Sequence, residues 1–91
     1  MLDPYFWRDL VDPFTPILSL NIEALSDLTV YDLQQLRTLW PTLAAERKLK
    51  LVEEMISQSE KYIDLNFLEV LLISIDDEDD RVKVATIQGL W

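Results

Sequence analysis

Leucine, isoleucine and valine recur along this chain at spacings of three and four, the period of one face of an α-helix. Val30, Leu33, Leu36, Leu39 and Trp40 form one such stripe. Pro41 stops it, because the residue before a proline is pushed out of the α region. Thr29-Val30-Tyr31-Asp32 reads as its start, a capping box with Asp in place of the more usual Glu or Gln. A longer stripe of Ala45, Leu49, Val52 and Ile56, widened by Leu51 and Met55, predicts a helix over about 43–61 with Thr42 as its cap. Asn66 followed by Glu69 is a second capping box, opening a helix over 67–75. A polar turn over 76–79 follows. Asp79 or Asp80 then starts a last helix, whose apolar positions Val82, Val84, Ala85, Ile87, Leu90 and Trp91 surround it on almost every side.

Upstream, Asp3-Pro4 pairs an N-cap with proline at the first helical position, starting a short helix that runs to Leu10. Asp12-Pro13 ends it. Residues 13–21 read as an extended connector, and Ile22, Leu25 and Leu28 as one or two helical turns. Strand signals are missing. Gly89 is the only glycine and no proline follows Pro41, so the tight turns of an all-β fold have no residues to make them. The pattern predicts an all-α protein.

The two long helix pairs resemble each other. A shift of 35 residues superposes Leu33 on Leu68, Leu36 on Leu71 and Trp40 on Ile75. It also brings Leu51, Val52, Met55 and Ile56 onto Thr86, Ile87, Leu90 and Trp91. The stretch from Ile75 to Lys83 resembles the intra-repeat turn of HEAT repeats, an apolar helix end followed by an aspartate, a polar turn and Val-Arg. Asp77 stands at the turn aspartate, Val82 at the valine and Lys83 where arginine is usual. Asp80 replaces the frequent proline, and Thr86 takes a position usually held by alanine. The runs Leu25-Ser26-Asp27-Leu28-Thr29, Trp40-Pro41 and Leu65-Asn66-Phe67 also look like bacterial HEAT-repeat proteins. The resemblance covers residues 26–91. It implies a HEAT-like α-solenoid fragment of stacked antiparallel helix pairs, with a capping segment at 1–28 and pairs at 29–62 and 66–91. It also implies an Asp–cation ladder at the turns, with Asp77, Asp79 and Lys83 as its members; such a ladder would set register more than strength, since an exposed pair adds only ~0–1 kcal/mol.

Charge narrows the function. Seventeen acidic against eight basic residues give −9, a sign that opposes phosphate backbones and anionic membranes. A nucleic-acid-binding helical repeat is disfavoured on that ground. No basic leader precedes an apolar run and no stretch approaches a membrane span, so a soluble cytoplasmic protein is expected. Cysteine and histidine are both absent, which removes disulfides, thiolate sites and the commonest general base and zinc ligand. Ser19, Ser26, Ser57, Ser59 and Ser74 therefore have no histidine to activate them, and Glu53 and Glu54 point to different faces of one helix. No enzyme activity and no cofactor are expected.

The acidic run 76–80 invites a calcium reading, but loop positions 6 and 12 would be Arg81 and Ile87 where an EF-hand needs Gly and Glu. A capping turn is the better reading, and no metal site is expected. Arg47, Lys48 and Lys50 are read as a solvated helix surface. Trp40 is expected in the core with its indole N–H on a helix-end carbonyl, and Tyr5-Phe6-Trp7 as a cap on the first repeat. The expected function is a non-catalytic scaffold that binds another protein on the second helices of each pair. The alternative is a small acidic inhibitor, an immunity protein or antitoxin that covers a basic partner. The apolar pattern running into Trp91 suggests a longer solenoid, and self-association or fraying around Val84, Ile87 and Trp91. Gly89, followed by two large hydrophobes, reads as a close-packing position.

Overall fold

The computed structural model describes residues 2–90. Five α-helices, α1 (Pro4–Val11), α2 (Val30–Leu39), α3 (Ala45–Lys61), α4 (Leu68–Ile75) and α5 (Asp80–Leu90), are joined by 3-10 turns at Ile17–Ser19, Ile22–Leu25 and Trp40–Thr42. The described residues contain no strand. No helix is long and apolar enough to cross a membrane.

Local chemistry sets most of the helix starts. At α1 the Asp3 carboxylate accepts the Tyr5 N–H at 2.8 Å, with Pro4 at the first helical position. Asp12 ends it, accepting the Phe14 N–H and the Thr15 hydroxyl. Those two bonds hold its carboxyl below the usual aspartate range. At α2 the Thr29 hydroxyl accepts the Asp32 N–H and donates to the Asp32 carboxylate. The same carboxylate also accepts the Leu2 N–H.

Two expected starts shift. Thr42 does not cap α3; Trp40–Thr42 forms a 3-10 turn on Pro41, the Thr42 hydroxyl turns back to the Leu39 carbonyl, and α3 begins at Ala45. Asn66 does not form a capping box with Glu69. Its side chain accepts the Leu68 N–H, while its own N–H goes to the Ser26 hydroxyl, so α4 begins at Leu68. Asp27, at φ 56°, donates its N–H to the Asn66 carbonyl. Aspartate is among the few residues that take this left-handed conformation at modest cost. The two stitches bind the turn before α2 to the turn before α4.

α5 is the hub of the helix packing, in contact with both α3 and α4. α4 lies against α5 and beside α2, and α5 lies along α3. One core runs through the molecule, drawing Leu10, Ile17, Ile22 and Leu25 from the N-terminal segment, Leu36, Trp40, Leu51, Val52 and Met55 from α2, its C-terminal turn and α3, and Phe67, Val70, Leu71 and Val82 from the region of α4 and α5. Phe6 and Trp7 pack on this core and meet each other edge to face, with ring centroids 5.5 Å apart, while Tyr5 stays outside under the Arg8 guanidinium. Gly89 is a close-packing position, since a Cβ there would overlap the Ile56 side chain on α3. Ser74 and Thr86, both fully buried, join α4 to α5 by a 2.7 Å hydroxyl contact.

Two stripes are rotated from the expected ones. Val30 is 68% exposed, and the inner face of α2 runs through Asp32, Leu36 and Trp40 at spacings of four. On α3 the buried face is Arg47, Lys48, Leu51, Val52 and Met55, and Ala45, Leu49 and Ile56 lie on its flank.

Candidate interaction surface and the buried ion pair

Arg47 and Lys48 are not solvated. They are 9% and 4% exposed, and each has its charge answered inside the fold. Arg47 reaches from α3 to the end of α1 and donates to the carbonyls of Asp9, Leu10 and Thr15 at 2.6–2.7 Å. These are carbonyls that the last turn of a helix and the following loop leave unpaired, and a planar guanidinium satisfies several at once. Burial draws the Arg47 pKa downward while Asp12 works against it. Lys50 alone of the three stays exposed.

Lys48 meets Asp77 at 2.6 Å, with both side chains at most 5% exposed. The Trp40 indole N–H donates to the same carboxylate at 2.9 Å, and not to a helix-end carbonyl as expected. The Asp79 N–H supplies a further bond at 2.8 Å. Burial alone would raise the Asp77 pKa, but the Lys48, Asp79 and Trp40 hydrogen bonds together hold it below the ordinary range. The Lys48 ammonium also lies 5.8 Å from the centre of the Trp40 ring. One carboxylate thus ties the C-terminal end of α2, the first turn of α3 and the turn before α5. Arg37, Pro41, Ile73 and Glu78 rim a shallow cavity of about 320 Å³ over it.

The expected turn ladder is built from different cations. Asp77 pairs with Lys48 from α3. Asp79 accepts from the Arg81 N–H and guanidinium, which hold its carboxyl low. Arg81 also reaches Glu46 on α3 at 2.6 Å, and the two carboxylates push its pKa upward. Lys83 is half-buried and makes no ion pair among the described residues. On the helix Lys83 lies two positions past Arg81 and so on a different face, and the Asp79 carboxylate one turn before it is taken by Arg81. The signal for Lys48 lay in its spacing from Leu51, Val52 and Met55 on one face; its charge concealed it.

The remaining acidic residues do not converge. Among the described residues, no three acidic side chains are placed to hold a metal ion. The serine hydroxyls have structural partners where bonds are formed. Ser19 and Ser59 donate to nearby carbonyls, Ser26 accepts from Asn66, and Ser74 bonds within the core.

A groove of about 390 Å³ runs between α3 and α5, lined by Glu53, Ile56, Ser57, Glu60, Ala85, Gln88 and Gly89. Its floor is narrow because Gly89 lets the two helices approach. Its walls carry two carboxylates and no basic residue. No family model, curated protein or solved structure matches the chain.

Proposed function

We propose that this protein is a non-catalytic scaffold of HEAT-like helical repeats, which binds another protein through the α3/α5 surface. The observation that carries the reading is the packing of α5 along α3, with α4 beside α2. Stacked pairs expose their second helices as one continuous surface, the surface helical-repeat proteins use for binding. The resemblance of the 75–83 turn to HEAT repeats supports the same assignment. The charge of the groove supports a partner with basic side chains, as Glu53 and Glu60 are exposed and make no ion pair among the described residues.

The test is site-specific photo-crosslinking in the native host, with the probe at Ser57 or Gln88 in the groove and at Thr38 on the outside of α2. A discrete adduct from the groove positions alone, lost on Glu53→Lys with Glu60→Lys, is the expected result. Equal labelling from all three positions, or none, overturns it.

An acidic inhibitor that covers a basic toxin or enzyme is the second reading, favoured by the −9 net charge. It would use the same carboxylates. Purification of the crosslinked partner separates the two, because an inhibitor abolishes that partner's activity at one-to-one stoichiometry and a scaffold does not.

A further inference from the structure

α4 and α5 leave a second surface uncovered. Leu68 and Leu72 on α4 are 47% and 49% exposed, and Val84 and Ile87 on α5 are each 51% exposed. Their places on the helices say which way they point. α5 turns Gly89 toward Ile56 on α3 and Thr86 toward Ser74 on α4. Ile87 lies on the side of α5 opposite Ala85 and Gly89, away from α3, and Val84, three positions before it, stands at the outer edge beside Ala85 and Gln88. On α4, Ile73 lies with Arg37, Trp40 and Pro41 at the α2 end, while Leu68 and Leu72 stand on the other side. The outer face of the α4/α5 layer therefore carries two apolar ridges, spaced by four on α4 and by three on α5.

We infer that this face is a docking site for a basic amphipathic helix of a partner protein. The ridges of an antiparallel helix pair leave a groove that fits a third helix, read through anchors at spacings of three and four. With α5 at eleven residues, the groove accommodates an occupant of about three turns. The charge around the groove fixes the occupant's sign. Glu69 on α4 and Asp80, one turn before Val84 on α5, are exposed beside the ridges, whereas Asp76 and Glu78 line the cavity on the α2 side. Lys83 is the single cation on the α4 side of α5. A chain of −9 repels a second copy of itself and attracts a helix with lysine or arginine beside its apolar stripe. The inference rests on the reading that this protein binds proteins, but it uses a face separate from the α3/α5 groove.

The test measures binding by isothermal titration calorimetry of the full chain with three synthetic peptides of about four turns. One is an amphipathic leucine/lysine helix, one has the same composition scrambled, and one carries glutamate in place of lysine. The amphipathic basic peptide should bind roughly tenfold or more tightly than either control, with affinity that falls as salt rises. Leu72→Glu and Ile87→Glu should each remove that preference. Glu69→Lys should weaken it without touching the apolar ridge, and Leu18→Glu, at an exposed apolar site elsewhere, should leave it intact. Circular dichroism melts establish that each variant is folded.

Equal affinity for the scrambled peptide, or full binding by Leu72→Glu and Ile87→Glu, overturns the inference. A dimer in analytical ultracentrifugation that these two substitutions dissociate would assign the face to a second copy, and also overturns it. Photo-crosslinks from Ser57 and Gln88 are read independently, so loss of the groove reading and loss of this one are distinguishable.

Discussion

Asp77 is a residue whose removal would be felt in three elements at once. It holds Lys48 of α3, the Trp40 indole and the Asp79 N–H in a space almost closed to water. Breaking one side of a buried pair leaves an uncompensated charge, and such losses run about 3–5 kcal/mol. Asp77→Asn should therefore destabilise the fold by about that amount in urea titrations. Lys48→Met combined with Asp77→Asn should recover a measurable part of the loss, because no unpaired charge remains. The pH dependence has a definite sign. An aspartate held below its unfolded value of about 3.9 contributes stability that is complete above that value. In acid the unfolded chain binds the proton first, so the contribution disappears as pH falls through 4 toward the lower folded pKa. Stability measured across the acid limb should fall less steeply in Asp77→Asn than in the parent.

At the scale of the helices, the contact at Gly89 decides how closely α5 sits on α3. Gly89 lets α5 close on α3, and alanine there would meet the Cδ1 and Cγ1 atoms of Ile56. Moving Cγ1 requires a change in χ1, which is stiff in a β-branched side chain. Overpacking of this kind costs about 1–3 kcal/mol, more than the ~1 kcal/mol that alanine gains over glycine in a helix. Gly89→Ala should lower the melting temperature, and the same substitution on an Ile56→Ala background should raise it. The paired leucines give the second check. Leu36 and Leu71, one 35-residue shift apart, are 1% and 6% exposed in the same core. Truncation of either to alanine should cost about 2–5 kcal/mol. Lys83→Ala removes no ion pair and should change stability by less than about 0.5 kcal/mol. Denaturant curves in which Lys83→Ala is the more damaging would contradict the register of α5.

For the whole molecule, the N-terminal segment is more than a cover. Leu10, Ile17, Ile22 and Leu25 are each at most 6% exposed and belong to the common core. Arg47 fastens the same segment from the other side through the carbonyls of Asp9, Leu10 and Thr15. A chain lacking residues 1–28 would expose the apolar surface these side chains cover and would leave the Arg47 guanidinium without those carbonyls. It should lose its cooperative thermal transition, whereas the full chain melts in one step. Retention of a sharp transition by 29–91 would mean that the remaining helices fold without the segment. Val84 and Ile87 are exposed on the opposite side, at the face where self-association was expected; Trp91 lies outside the described residues.

The helices of this protein were legible because their determinants are local. Asp3-Pro4 starts α1, Thr29 and Asp32 start α2, and Pro41 ends it, each acting within a few residues of itself. An all-helical protein follows from these and from the shortage of glycine, whatever the packing. The inner faces were less legible. Apolar periodicity placed Val30 inside and Lys48 outside, since it treats every charge as solvated. Whether a lysine can be buried depends on a carboxylate 29 positions further on, and the sequence alone does not bring Lys48 to Asp77. Asp77 stands at a turn, and beside the Asp79 N–H its partners are Trp40 at the end of α2 and Lys48 on α3, both far away in sequence. Arg47 likewise serves carbonyls more than thirty residues away. The chain thus determined its own helices by short-range sterics and hydrogen bonding. Which polar side chains were desolvated, and which apolar ones remained in water at Leu68, Leu72, Val84 and Ile87, was decided by the tertiary packing, because burial is a property of neighbours and not of residues.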